Sequence, residues 1–261
     1  MDPPVQRDAV QPSLIRQSAW VAALLVGQLV VTKTVRDALF LSHFGPQSLA
    51  WVMGASCLLS VGVVWLQGRC LLRLGPVQLV PRLLLLHALL YAIESAVLTA
   101  APRLTALAVY LHSAGAGAAA VSAFWSRINE AFDPQGARQA VTRVGEGAAL
   151  GGVVAGIAMW QLARMVPLRT ALLVAAALNL WAALLCRRWG RAAAAAPERP
   201  AVQGAASMRA RGLWQCFRQQ PLLGWIAALV VLMAVGETLT DYVLKAAAQR
   251  VLGSAPALAT F

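Results

Sequence analysis

Charge is what this sequence has least of. Charged residues make up 12% of 261, and only ten are acidic, about half the share found in an ordinary soluble domain. A soluble core needs a charged shell, and runs such as LLLLHALLYAI have none, which rules against a soluble globular domain. Cysteine is scarce as well: Cys57, Cys70, Cys186 and Cys216 show neither C-x-x-C spacing nor a matching histidine cluster. No zinc or redox site is therefore expected, and the four read as small apolar fillers. No Ser-His-Asp, metal-ligand or paired-carboxylate constellation stands out, so neither an enzyme nor a cofactor is expected. Lysine is almost missing: of 22 basic residues, all but Lys33 and Lys245 are arginines. They raise the net charge to +12 but lie scattered between apolar runs, with no aromatic-interleaved patch, so nucleic acid is not the expected partner.

What is present is apolar surface. Hydrophobic residues make up 59% of the chain and the mean hydropathy is +0.66. A helix needs about 20 mainly apolar residues to cross a bilayer. That window finds segments near 16–41, 47–67, 79–100, 103–128, 142–164, 167–189 and 221–247. The expectation is an all-α integral membrane protein with seven transmembrane helices. The N-terminus has no clear small-x-small cleavage site, so the first segment is expected to stay as a helix. Its uncharged run, Ala19 to Thr32, is too short to span alone; the helix must continue through Lys33, Arg36 and Asp37, which puts three charges within the membrane.

The positive-inside rule orients the chain. With the N-terminus in the cytoplasm, Arg7, Arg16, Arg69, Arg73, Arg82, Arg127, Arg138, Arg143 and the arginines from Arg187 to Arg218 are inside, a large excess over the other face. The stretch from 187 to 212, rich in Ala, Pro and Arg, reads as a flexible cytoplasmic linker. The expected organisation is a cytoplasmic N-terminus (1–15), a six-helix half (16–189), a linker (190–220) and the first helix of a second half (221–261).

Residues 33–41, KTVRDALFL, slide onto 237–245, ETLTDYVLK, so that Asp37 falls on Asp241 and Lys33 lies opposite Glu237. The match is short, but its period is that of one six-helix half. Two such halves, related by an axis along the membrane normal, describe the major facilitator fold. Gly68, Arg73 and Gly75 fit that superfamily's G-x-x-x-D-R-x-G loop signature, with Leu72 at the acidic position.

Three stretches carry a family resemblance: VTKTVRDALFLSHFG, then FWSRINEAFDPQGARQAVTRVGEGAALGGVVAG from 124 to 156, then DYVLKAAAQRVLG from 241. Together they resemble the ATP:ADP antiporter, or nucleotide transporter, family of bacteria and plastids. The shared features are the basic-x-x-basic-Asp pattern of Lys33, Arg36 and Asp37, the Trp125, Asn129 and Glu130 group, and the Ala137-Arg138 step before a Gly-rich helix. Where the family's strict exchangers have Ala-Lys-Arg-Phe-Tyr, this chain has ARQAV, and its first-helix pair is Lys then Arg rather than Arg then Lys. The resemblance is thus to the family more than to one substrate. It implies a carrier in a bacterial cytoplasmic membrane that moves an anion such as ATP or ADP, with Asn129 and Glu130 in gating or coupling.

Intramembrane ionisable groups usually face a cavity or a partner. Lys33 and Arg36, one turn apart, share a helix face and can clamp a phosphate or carboxylate; alternatively Arg36 is tied structurally to Asp37 or to a seventh-helix acid. Glu237, Asp241 and Lys245, at i, i+4 and i+8, make one stripe. Under the pseudo-two-fold that stripe is expected to face Lys33 and Arg36, which an anionic substrate would free. His87, Tyr91 and Glu94 also share a face: a hydrogen-bonded polar seam is the preferred reading, proton carriage by Glu94 beside His87 the other. His112 has no obvious partner and reads as structural. GEGAALGGVVAG follows no strand and lacks a phosphate-loop ending, so Gly147 to Gly151 and Gly152 to Gly156 read as small-xxx-small packing. Arg143 and Glu146 are expected to pair at a cytoplasmic helix end.

The functional expectation is alternating-access transport of an anionic metabolite, ATP:ADP exchange first. The alternatives are another organic anion, with protons through Glu94, or a membrane anchor or sensor without transport. The chain stops where an eighth helix is expected, so the second half is expected from a longer chain or from another chain.

Overall fold

The structure is a computed structural model that describes residues 7–132, 134–162, 165–194 and 221–252. Among the described residues there are six helices: α1 (Arg7–His43), α2 (Pro46–Val97), α3 (Pro102–Ala131), α4 (Pro134–Leu162), α5 (Leu168–Ala194) and α6 (Pro221–Leu252). There is no strand among the described residues. All six helices are long and apolar enough to cross a membrane, so the chain is a multi-pass membrane protein. It divides into two compact units, one holding α1 to α5 and the other, Ala196–Ala247, holding most of α6.

Six helices replace the seven expected because the second and third segments form one element. At 52 residues and about 1.5 Å per residue, a straight α2 would exceed twice the hydrocarbon layer of about 30 Å. It is instead broken at Gly75, whose φ of 67° and ψ of 161° lie outside the helical region. That conformation is open only to glycine. Pro76 follows it, so the connection expected to be a loop is a one-residue break inside the G-x-x-x-D-R-x-G stretch.

Other boundaries also move. α1 begins at Arg7, so most of the expected N-terminal tail is helical. α5 runs to Ala194, into the expected linker, because its last residues form an alanine run of high helix propensity. The rest of the linker and the chain end, Cys216 included, lie outside the described residues.

In the first unit α1 packs against α3, α4 and α5, and α2 against α3 and α5. Heptad spacing sets the buried faces. On α1, Leu14, Ser18, Val21, Leu25, Gln28, Thr32, Val35 and Leu39 point inward. On the second arm of α2, Val80, Leu84, His87, Tyr91 and Glu94 do the same. The apolar members fall into two clusters, one around Leu25, Leu84, Phe124 and Ala183, the other around Val35, Tyr91, Val109 and Leu172. Between them lies a polar layer in which Asn179 Nδ2 donates to Gln28 Oε1 at 3.2 Å. The outside is apolar: Trp51, Leu58, Trp65, Trp160 and Trp181 are exposed, as suits a surface whose solvent is lipid.

Glycine sets the closest contact. A Cβ added at Gly147 would lie 2.3 Å from the Ala19 carbonyl oxygen, and one at Gly151 would lie 2.1 Å from that of Ala23. The Gly147–Gly151 stripe is therefore a packing surface that brings the α4 and α1 backbones together, as its spacing predicts. Gly156 has open space around it and takes no part.

Candidate functional site

The charges of α1 lie past the middle of the helix, where its sequence has no other ionisable group between Arg16 and His43. Arg36 and Asp37 are largely buried, at 11% and 16% side-chain exposure. They form a two-pronged pair: Arg36 Nε donates to Asp37 Oδ1 at 2.7 Å and Nη2 to Oδ2 at 3.2 Å. The guanidinium also lies over the Tyr110 ring of α3, 4.8 Å from its centroid. Paired charge and aromatic face together lower the cost of keeping a cation at membrane depth. Lys33, one turn back, is exposed. Of the two structural partners expected for Arg36, Asp37 is one it takes.

The second polar group is a seam between α2 and α3. His87 Nδ1 and His112 Nε2 are 2.8 Å apart, and His112 Nδ1 lies 3.0 Å from Glu94 Oε1. Tyr91 packs its ring 4.4 Å from that of His112, and its hydroxyl lies beside Thr32 of α1. The expected His87, Tyr91 and Glu94 face is therefore a hydrogen-bonded seam. His112, expected to be without a functional partner, is its centre. Nothing in the local sequence marks it, because its neighbours in space come from another helix. The seam and the Arg36 group are built on the same three helices, with Tyr110 and Tyr91 as the aromatic links.

Arg127, by the positive-inside rule a cytoplasmic arginine, is 2% exposed. Its Nη1 donates to the Val77 carbonyl at 3.0 Å and its Nη2 to the Cys186 carbonyl at 2.8 Å. Four residues after Val77 stands Pro81, which has no N–H for the usual helical bond. Arg127 supplies the missing donor and joins α3 to α2 and α5.

Asn129 and Glu130 are exposed at the end of α3, while Trp125 packs on the core. Arg143 Nη1 and Glu146 Oε2 pair at 2.8 Å on the exposed side of α4. On α6, Asp241 and Lys245 form an ion pair one turn apart, and Glu237 is exposed a turn earlier. Cys186 is buried, Cys70 half-buried and Cys57 exposed, so among the described cysteines only Cys186 fills a core position. A groove of about 1050 Å³ runs along α1 and α4. It is lined by Trp20, Leu24, Leu150 and Val154, with Arg16 and Arg143 at one end, and neither Lys33 nor Arg36 reaches it. Among the described residues no cluster of His, Cys, Asp or Glu is arranged to hold a metal ion.

Comparison with family models, curated proteins and solved structures gives no match.

Proposed function

We propose that this chain is a major-facilitator-type carrier, related to the ATP:ADP antiporters, that moves an anionic metabolite across a bacterial cytoplasmic membrane by alternating access. ATP:ADP exchange is the favoured reaction, and the N-terminus lies in the cytoplasm. The observation that carries this reading is Arg36, a guanidinium kept inside a membrane-length helix with Lys33 one turn away. A charge at that depth costs a few kcal/mol, and such residues mark substrate or ion pathways. Arg36 offers a planar fork for phosphate oxygens and Lys33 a movable point charge. Asp37 holds the fork while the site is empty, and an incoming phosphate competes for it with charge-assisted bonds of the same kind.

The Asp241–Lys245 pair of α6 offers the same chemistry at the position the internal repeat assigns to Asp37 and Leu41. In this mechanism substrate opens the Arg36–Asp37 pair and frees the carrier to change its open side. An empty carrier closes the pair again, which favours exchange over net flow. The repeat implies a second half of the cavity, from the same or another chain.

Bacterial cells producing the protein should take up labelled ATP and release the label when unlabelled ADP is added outside. Cells that gain no uptake over a vector control would remove the nucleotide assignment.

A further inference from the structure

We propose that His87, His112 and Glu94 form a proton-binding relay that is entered at His87 Nε2 and ends on Glu94. The use of that proton in transport rests on the carrier reading, whereas its binding does not.

The bond pattern gives the relay a direction. With Glu94 ionised, His112 Nδ1–H donates to Oε1, which leaves His112 Nε2 to accept from His87 Nδ1–H. Both imidazoles are then neutral, and His87 Nε2 carries a lone pair. That nitrogen and Glu94 Oε2 are buried and have no hydrogen-bond partner among the described residues. A polar network that serves packing alone closes its ends, because each open end is a desolvated group without compensation. Here both ends are open, on side chains only 4% and 8% exposed.

A proton that binds His87 Nε2 moves through the seam in two further steps. The His87 Nδ1 proton passes to His112 Nε2, and the His112 Nδ1 proton passes to Glu94 Oε1. Three N–H or O–H bonds form and two N–H bonds break; no electron is transferred, and the group goes from one negative charge to neutral. The two imidazole nitrogens are already at hydrogen-bond distance from each other, which leaves no room for a metal ion between them.

The surroundings carry the change to α1. On that helix Thr32 lies beside the Tyr91 hydroxyl, on which both Arg36 and Glu94 act electrostatically. Asp37 holds Arg36, and Tyr110 of α3 lies beneath it. From α5 the Arg169 carbonyl accepts from Ser95, next to Glu94. Neutralising Glu94 removes the only acidic group of α2, and so changes the field at the Tyr91 hydroxyl, which Arg36 also faces. Proton and anion sites are thereby linked through Tyr91.

Infrared difference spectra of the protein in lipid vesicles, taken on stepping the pH down with no substrate present, test the relay. The expected result is a growing carboxylic-acid carbonyl band, with imidazole ring bands changing in parallel. Glu94→Gln should remove that carbonyl band and shift the imidazole response, and His112→Asn should uncouple the two. Tyr91→Phe, which leaves both imidazole bonds in place, should keep them coupled and also reports on folding. A carbonyl band unchanged by Glu94→Gln, or imidazole and carboxyl responses that stay unlinked in the wild type, would overturn the relay. A protein that shows the coupled bands but exchanges no ATP keeps the relay and loses the nucleotide reading.

Discussion

Arg127 and His112 are single side chains whose work depends on residues far away in sequence. Arg127 closes a hydrogen-bond gap that Pro81 opens at Val77, on a helix fifty residues earlier. Replacing it with Met leaves the partly buried Val77 carbonyl without this donor and should lower stability by about 1–3 kcal/mol, read as a lower unfolding temperature in detergent. Adding Pro81→Ala should recover part of that loss, because alanine restores the N–H that proline lacks. No recovery in the double variant would mean that Arg127 acts through something other than this bond. The proline was visible in the sequence, but the arginine that answers it was not, since an arginine at a helix end looks like any other positive-inside charge. His112 was hidden for the same reason: periodicity aligns His87, Tyr91 and Glu94 on one helix and says nothing of the neighbour that joins them.

At the scale of elements, two glycines decide how helices meet. Gly75 breaks α2 in a conformation that side chains disfavour, so Gly75→Ala should cost about 1–3 kcal/mol even though no atom stands near its added Cβ. Gly151→Val should be worse for a different reason: its first carbon would lie 2.1 Å from the Ala23 carbonyl oxygen, and α4 would have to move off α1. Gly156→Ala, with open space around it, should leave the unfolding temperature unchanged. Equal melting of all three variants would contradict both assignments. The packing role of Gly147 and Gly151 was legible from their four-residue spacing. The merging of two crossings into α2 was not, because a glycine followed by proline signals a change of direction without giving the length of the connection.

For the whole molecule, the membrane character was legible at once, since it rests on apolar content and on the scarcity of charge. The same composition explains the exposed tryptophans and leucines around a core that keeps its polar residues inside. The proposed orientation rests on the arginines and can be measured. With the native cysteines replaced, Thr99→Cys should react with an impermeant maleimide outside intact cells, and Arg73→Cys only after the membrane is opened. The opposite pattern would place the N-terminus outside. What composition and spacing do not carry is the identity of the proposed anion, since phosphates and carboxylates would ask the same of Lys33 and Arg36. The most direct test is therefore exchange by the purified protein in vesicles loaded with ADP and given labelled ATP. Rapid entry of label is expected, falling about tenfold or more in Lys33→Ala, the loss expected for one charge-assisted hydrogen bond. Entry that is unchanged in Lys33→Ala, or no exchange by the wild type, would contradict that expectation.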